Sequence, residues 1–556
     1  MSIVSLARPP RDCPPRLTDY EAEHAGYHVA VPERFNAVLD IVDVWASEDP
    51  DALAVLSLDG AGNVVAEQSA ADLARASREV ARVLLDLGVG KGDHVFVMLP
   101  RIPEWYAALL GAMRIGAIPM PGPNLLTPRD IAYRFDQTGA TVAITDEAGA
   151  GKVDAAVPDL TARLCAGRTA HGWLSLEERR GAVGDGETPA DPTDRDDPLL
   201  LYFTSGTVAY PKLVQHPQSY ALGHVGTARF WHDLRAGDLH WTVTDTGWAK
   251  AAWGGLFGQM HERAAILNVA LGTPDPDTIF GILARHGVTS FCAPPTLYRR
   301  LVQADLSKFD LRALRHCTSA GEPLNPEVIR EWQKGTGGLT VYDGYGQTET
   351  TCLVANYRAM EVRPGSMGRP IPGYDVTVVD DDGNPVEVGE VGNIVVRYKP
   401  ERPVGLFPGY HNNPAATAEV FRGPFYFTGD KAAMDTDGYL WFEGRDDDVI
   451  TSSAYRIGPF EVESVLVEHP AVVEAAVVGK DDPERTQIVT AFCLLTPGQA
   501  GSVELAGELQ EFVKRGTAPY KYPREIYFVE ELPKTISGKI RRSELRARLR
   551  ADRPDG

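Results

Sequence analysis

His94-Val-Phe-Val-Met-Leu99 is a short apolar run with the length and composition of a strand buried on both faces, and the residues that follow change period. Pro103 to Arg114 carries apolar residues at helical spacing behind a proline suited to a first helical turn. Ala117 to Met120 is apolar and extended again, and Thr127 to Gln137 returns to the helical pattern. Buried strands alternating with amphipathic helices predict a parallel sheet covered by helices, hence an α/β fold. The texture runs from about Asp51 to Asp146 and returns from Tyr220 to Leu301.

Outward from this core the pattern changes twice. Glu187 to Asp197 is polar and reads as a surface linker. Gly368 to Tyr398 is hairpin-like: Asp381-Asp382-Gly383-Asn384 forms a turn between Val376 to Val379 and Gly392 to Arg397, which predicts a β-rich subdomain. Beyond about Gly444 a smaller α+β unit follows, with a helix from Pro459 to Glu468 and strands at Glu474 to Val478 and Ile488 to Cys493. The expected division is a large N-terminal part, 1–446, and a small C-terminal domain, 447–556.

Composition narrows the function. The 556 residues include 76 acidic and 55 basic side chains, a net charge of −21, and 44% are hydrophobic. That length needs more than one folding unit, and the hydrophobic content excludes a disordered chain. The acidic balance gives no general attraction to nucleic acid or anionic lipid. Cys13, Cys165, Cys292, Cys317, Cys352 and Cys493 are scattered, suggesting neither a zinc site nor a disulfide framework, and a reduced cytoplasmic setting fits them. Neither a secretory signal nor an apolar stretch long enough for a membrane span is legible.

Two glycine-rich segments are decoys. Gly149-Ala-Gly-Lys152 resembles the end of a phosphate loop, but Asp146 and Val153 break the pattern, so a plain loop is expected. Gly60-Ala-Gly62 lacks the third glycine of a dinucleotide fingerprint and reads as a hairpin turn.

The segment Leu199 to Lys212 is different. A strand-like run opens into Thr204, Ser205, Gly206 and Thr207, and ends at Lys212. Hydroxyls, backbone N–H groups and an ammonium of this kind can surround a polyphosphate, although an ordinary strand-to-loop transition has the same look. Further segments follow in order: Ser319-Ala-Gly-Glu-Pro323, Tyr342-Asp-Gly-Tyr-Gly-Gln-Thr-Glu349, Tyr426-Phe-Thr-Gly-Asp430, Gly444-Arg-Asp-Asp-Asp448, Tyr455-Arg-Ile-Gly-Pro459 and Leu532-Pro-Lys-Thr-Ile-Ser-Gly-Lys539.

Together these resemble the ordered signature of the adenylate-forming superfamily of acyl-CoA synthetases, peptide-synthetase adenylation domains and firefly luciferase. The likeness covers roughly Tyr202 to Arg542. Thr244-Asp-Thr-Gly-Trp248 and Cys292-Ala-Pro-Pro-Thr296 look most like the medium-chain acyl-CoA synthetase branch. The resemblance implies an ATP-dependent enzyme that uses Mg²⁺, activates a carboxylic acid as acyl-AMP with release of pyrophosphate, and passes the acyl group to CoA or a carrier protein. It implies that Lys539 bridges carboxylate and phosphate, Thr348 holds the α-phosphate and Glu349 binds the metal, with Arg456 joining the catalytic set. Asp430 and Arg445 would grip the ribose, and Gly321, Glu322, Pro323, Asp343, Gly344 and Tyr345 would flank adenine. Asp447 would be the hinge on which a mobile C-terminal lid swings between half-reactions.

Two departures bear on activity. Relatives have glycine where Ala454 stands in the expected thiol channel, and the phosphate loop has Val208 and Ala209 where a hydroxyl and a glycine are usual. A specialist in one half-reaction is therefore an alternative, and a non-catalytic binding protein a further one. Trp248 is either core or a wall of the acyl pocket. Gly346 stands where acetate-activating relatives have tryptophan, so a deeper apolar pocket for a medium-chain, aryl or polycyclic acid is expected.

Overall fold

The structure, a computed structural model, describes residues 8–184, 186, 193–204, 211–272, 275–445, 448–452, 455–535 and 538–551, without the side chains of 455, 456 and 551. Its centre is a nine-stranded sheet. Six neighbouring strands are parallel, in the order Val341–Gly346, His316–Ala320, Ser290–Ala293, Leu239–Thr242, Ala265–Val269 and Leu53–Leu58. Antiparallel strands finish it, Val64–Ser69 on one edge and Cys352–Ala355 with Arg369–Pro370 on the other. A five-stranded parallel sheet carries Ile118–Pro121, His94–Met98, Val142–Asp146, Ala162–Ala166 and Leu174–Ser175.

The helix Pro103–Arg114 has its proline at the first position and is buried on all sides from Trp105 onward. It packs closely on the helix Ala70–Asp86, whose start is fixed by a capping box between Ser69 and Asp72. Gly111 makes that approach possible: a Cβ there would lie 2.6 Å from the Cβ of Val80.

A three-stranded antiparallel sheet joins Pro198–Phe203, Leu213–Pro217 and Gly409–Tyr410. The β-rich subdomain carries the predicted pair Val376–Val379 and Val391–Arg397, joined by Phe425–Met434 and Leu440–Arg445. From Ile450 onward the chain builds separate cores around the long hairpin Val472–Asp482 and Thr486–Leu495, the helix Pro459–Glu468 and the helix Arg542–Ala551.

Three expectations need correction. Gly149 to Lys152 is not a loop but part of the helix Glu147–Ala156, because Asp146 caps it by accepting from the Gly149 N–H. The linker is docked at its C-terminal end, where Thr193 is buried and donates to the Phe35 carbonyl; residues 187–192 lie outside the described set. The C-terminal strands are longer than predicted because their pairing with each other extends past the apolar centre.

Beside the central sheet lies a buried polar network. Arg315 bonds Asp233 and Asp238, Arg358 joins Asp233, and His232, His240 and His316 pack beside them. Burial pushes His216 and His240 down to about 3 and His316 to about 4, so these rings are neutral in the fold. The unfolded chain binds the proton first, so each ring's share of stability is complete above about pH 6.5 and is lost as pH falls toward the folded value. Asp343, raised to about 8, and Glu443, raised to about 7, pull the other way, so the informative quantity is a difference between variants. In His240→Gln the loss of unfolding free energy between pH 7 and pH 5 should shrink by about 2 kcal/mol relative to the unsubstituted chain. Denaturant titrations at the two pH values measure it, and an unchanged loss contradicts a neutral buried ring.

Candidate active site

Parallel strands of an open α/β sheet leave a crevice beyond their carboxyl ends, where ligands bind. Here Thr242, Ala293, Ala320 and Gly346 end neighbouring parallel strands, and most of the predicted site residues follow them.

The segment after Gly346 is held from several directions. Gln347 donates through Nε2 to the Thr428 carbonyl at 2.8 Å and to Asp430 at 2.7 Å, and accepts from the Tyr426 hydroxyl at 2.8 Å. The Thr348 carbonyl meets His216 Nε2 at 2.7 Å, and the Glu349 carbonyl accepts the Phe407 N–H at 2.9 Å. Thr351 and Tyr374 share a hydroxyl bond at 2.8 Å. These bonds restrain the backbone and leave the half-buried Thr348 hydroxyl without a protein partner among the described residues.

Asp430 and Arg445 are partners in strand register, which puts a carboxylate and a guanidinium side by side at the cleft. Asp430 also accepts from the Tyr345 hydroxyl at 2.6 Å; burial raises its pKa, while Arg445, Tyr345, Gln347 and Lys539 oppose the rise. Glu349 accepts from the Tyr410 hydroxyl at 2.9 Å and is likewise raised by burial. Among the described residues no cluster of three metal-ligating side chains occurs. Magnesium commonly takes one or two carboxylates and completes its shell with phosphate oxygens and water, and Glu349 fits that need.

The neck of the phosphate loop is closed by two bonds, Thr204 N–H to the Lys212 carbonyl at 2.9 Å and Lys212 N–H to the Thr204 hydroxyl at 3.0 Å. The Lys212 ammonium lies 4.8 Å from the ring centre of Tyr410, beside Glu349. Gly321 has φ +111 and open space where a Cβ would point, so its backbone can meet a flat ligand closely. Glu322 is paired with Arg299 at 3.5 Å, and Pro323 is half-buried beside it. Gly344 is packed against Trp231, and Asp343 accepts the Gly344 N–H and is pushed up to about 8 by burial. Lys539 comes from the C-terminal unit, and its charge acts on both Asp430 and Lys250, so it stands near the cleft.

Trp248 is half-buried at the start of the helix Ala249–Gly255. The space left by Gly346 is not open: a Cβ there would meet Trp253 Cη2 at 2.5 Å and the Thr351 carbonyl at 2.3 Å. Trp253 thus fills the volume that the glycine was expected to free. Lys250, which sequence reasoning missed, donates to the Ala320 carbonyl at 2.7 Å, one residue before Gly321. Its signal was present, since it stands two residues past the Thr244 to Trp248 segment. Gln347 and Tyr410 were also missed as supports. Ser205, Gly206, Thr207, Val208, Ala209, Asp447 and Ala454 lie outside the described residues, as does the Arg456 side chain.

Comparison with known proteins agrees with this arrangement. The family described as AMP-binding enzyme matches residues 42–411, and AMP-binding enzyme C-terminal domain matches residues 461–539. Acyl-coenzyme A synthetase ACSM3, mitochondrial, of Mus musculus is 42% identical over 96% of this chain and 94% of its own length. Acyl-coenzyme A synthetase ACSM5, mitochondrial, of Homo sapiens is 45% identical over 93% of this chain and 91% of its own. Among solved structures, the anthranilate CoA ligase AuaEII in complex with anthranoyl-AMP superposes with a TM-score of 0.85 at 29% identity, covering 93% of this chain and 98% of that one. A Brucella canis acyl-CoA synthetase is 36% identical with a TM-score of 0.74, covering 96% and 99%. The chain belongs to the AMP-binding enzyme family, in its acyl-coenzyme A synthetase branch, an AMP-forming acid–thiol ligase that uses ATP, Mg²⁺ and CoA.

Proposed function

We propose that this chain activates a hydrophobic carboxylic acid in two steps within one cleft. An oxygen of the acid's carboxylate attacks the α-phosphorus of ATP; the bond to the bridging oxygen breaks, and pyrophosphate leaves with its electron pair. The sulfur of a thiol then attacks the acyl carbon, the thiol proton passes to solvent or base, and AMP leaves. The first step brings anion to anion, so catalysis rests on cations and N–H donors held in place beforehand.

The observation that carries the reading is the convergence of the Thr348 hydroxyl, Glu349, the Asp430–Arg445 pair and the Lys539 charge on one cleft at the sheet's carboxyl edge. Lys539 bridges the carboxylate and α-phosphate, Thr348 donates to that phosphate, and Asp430 and Arg445 hold the ribose. Gly321 to Pro323 and Asp343 to Tyr345 flank adenine, and Thr204 to Thr207 with Lys212 cradle the outer phosphates. Magnesium, when bound, draws charge from those phosphates, and Glu349 is its protein ligand. Residues 447–556 act as the lid, with Asp447 as hinge and Arg456 in the catalytic set.

CoA is the thiol acceptor, a reading supported by the names of the curated relatives; a carrier protein is the competing acceptor. The acid is medium-sized and apolar, with Trp248 as a wall and Trp253 as the floor behind Gly346. The six cysteines are free and buried, which supports a reducing compartment, for which the cytoplasm is our reading. Among the described residues no helix is long and apolar enough to cross a membrane.

Three outcomes follow. Lys539→Ala should lower carboxylate-dependent exchange of labelled pyrophosphate into ATP by about 100-fold or more, with thioester formation from supplied acyl-AMP within about threefold; equal losses contradict a lysine that serves one step. Ala454→Gly should raise the rate of thioester formation from acyl-AMP if the methyl group narrows the thiol path, and an unchanged rate removes that role. Trp253→Ala should move the preferred chain length upward in a panel from acetate to octanoate and benzoate, scored by pyrophosphate release. The same preference as in the unsubstituted enzyme shows that Trp253 does not bound the pocket.

A further inference from the structure

His216 is a buried ring that the reaction above does not use. It lies in the strand Leu213–Pro217, which leaves the phosphate loop, and none of its surface is exposed. Its Nε2 stands 2.7 Å from the Thr348 carbonyl oxygen. A carbonyl oxygen only accepts, so this nitrogen carries the hydrogen and donates. Burial keeps the ring neutral, so Nδ1 is a bare acceptor, and it is enclosed without any partner among the described residues. The imidazole stacks on Tyr220 with centroids 3.6 Å apart and planes 16° apart, which fixes the ring's orientation. The groups facing it from neighbouring elements are Tyr202 at 6.5 Å and, beyond Tyr220, His224; no charged side chain contacts the ring among the described residues.

An unpaired buried acceptor is destabilising, and phenylalanine would keep the stack without bringing one. What phenylalanine lacks is the hydrogen bond to Thr348. The other supports of this segment grip Gln347, Glu349 and Thr351, so His216 supplies the hold on residue 348 itself. We infer that His216 is a positioning residue for adenylation: its Nε2–H fixes the Thr348 peptide so that the Thr348 hydroxyl is aimed at the α-phosphate. The inference rests on the reading of Thr348 given above and adds a link from the strand leaving the phosphate loop to the residue that meets the phosphate.

The test is a double-mutant cycle with the two half-reactions read separately. His216→Phe should lower kcat for pyrophosphate exchange by about 10- to 100-fold, with KM for the acid within about threefold. Thioester formation from supplied acyl-AMP should change by less than about threefold, because the α-phosphate has by then already been captured. His216→Gln, which can restore a donor, should recover at least about a third of the lost exchange rate. In Thr348→Ala the further change His216→Phe should cost no more than about twofold, since the group being aimed is gone. Equal losses in both half-reactions, additive effects in the cycle, or no loss on His216→Phe overturn the inference. If His216→Phe does not fold, the comparison of His216→Gln with and without Thr348→Ala decides the same point. If Thr348→Ala alone leaves exchange intact, the role of Thr348 fails first, and that result is distinct from a failure of His216.

Discussion

A carboxylate and a polyphosphate repel, and the molecule is arranged around overcoming that repulsion. Two unit charges 4 Å apart interact by about 4 kcal/mol in surroundings of intermediate polarity, before any bond is stretched. Cations therefore have to be near, and they must not be spent on protein carboxylates. Desolvation raises Asp343, Glu349 and Asp430, while Arg445 and Lys539 oppose the rise at Asp430. Lys539, whose charge acts on Asp430 and Lys250, is a cation supplied from the C-terminal unit. The overall negative charge of the chain does not oppose this, because the relevant field is local.

Rigidity follows from the same need. A donor helps a developing charge only if it is aimed before the reaction, so the segment from Gly346 to Thr351 is held from three separate stretches of chain, at His216, at Tyr374 and along the strand Phe425–Met434. Tyr410 links Glu349 to the short strand Gly409–Tyr410, which pairs with the strand leaving the phosphate loop. The neck formed by Thr204 and Lys212 and the Glu349 carboxylate are thus parts of one hydrogen-bonded unit. Separately, Asn325 reaches the C-terminal part by donating to Ser464 at 3.1 Å, while Arg299 donates to both Asn325 and Glu322.

Much of this was legible in the sequence because the signals were local. The helix Pro103–Arg114 follows from an apolar face behind a proline, and the helix Pro459–Glu468 from the same grammar. The ordered motifs gave the cleft its residues, since motifs mark loops at strand ends. What failed needed three dimensions. Gly149 to Lys152 is helical because a single aspartate caps it, a feature that glycine-rich composition obscures. Gly346 suggested an open pocket, but the volume is taken by Trp253 from another element. His216 carries no sequence signal, because a lone histidine in a strand is ordinarily core; only its distance to Thr348 distinguishes it.

The central claim is that an oxygen of the acid becomes bonded to the α-phosphorus of ATP. Supplying the acid with both carboxylate oxygens as ¹⁸O, together with ATP, Mg²⁺ and CoA, tests it most directly through the mass spectra of the products. The account predicts one ¹⁸O in AMP and none in pyrophosphate. Unlabelled AMP, or label in the released phosphates, would contradict it.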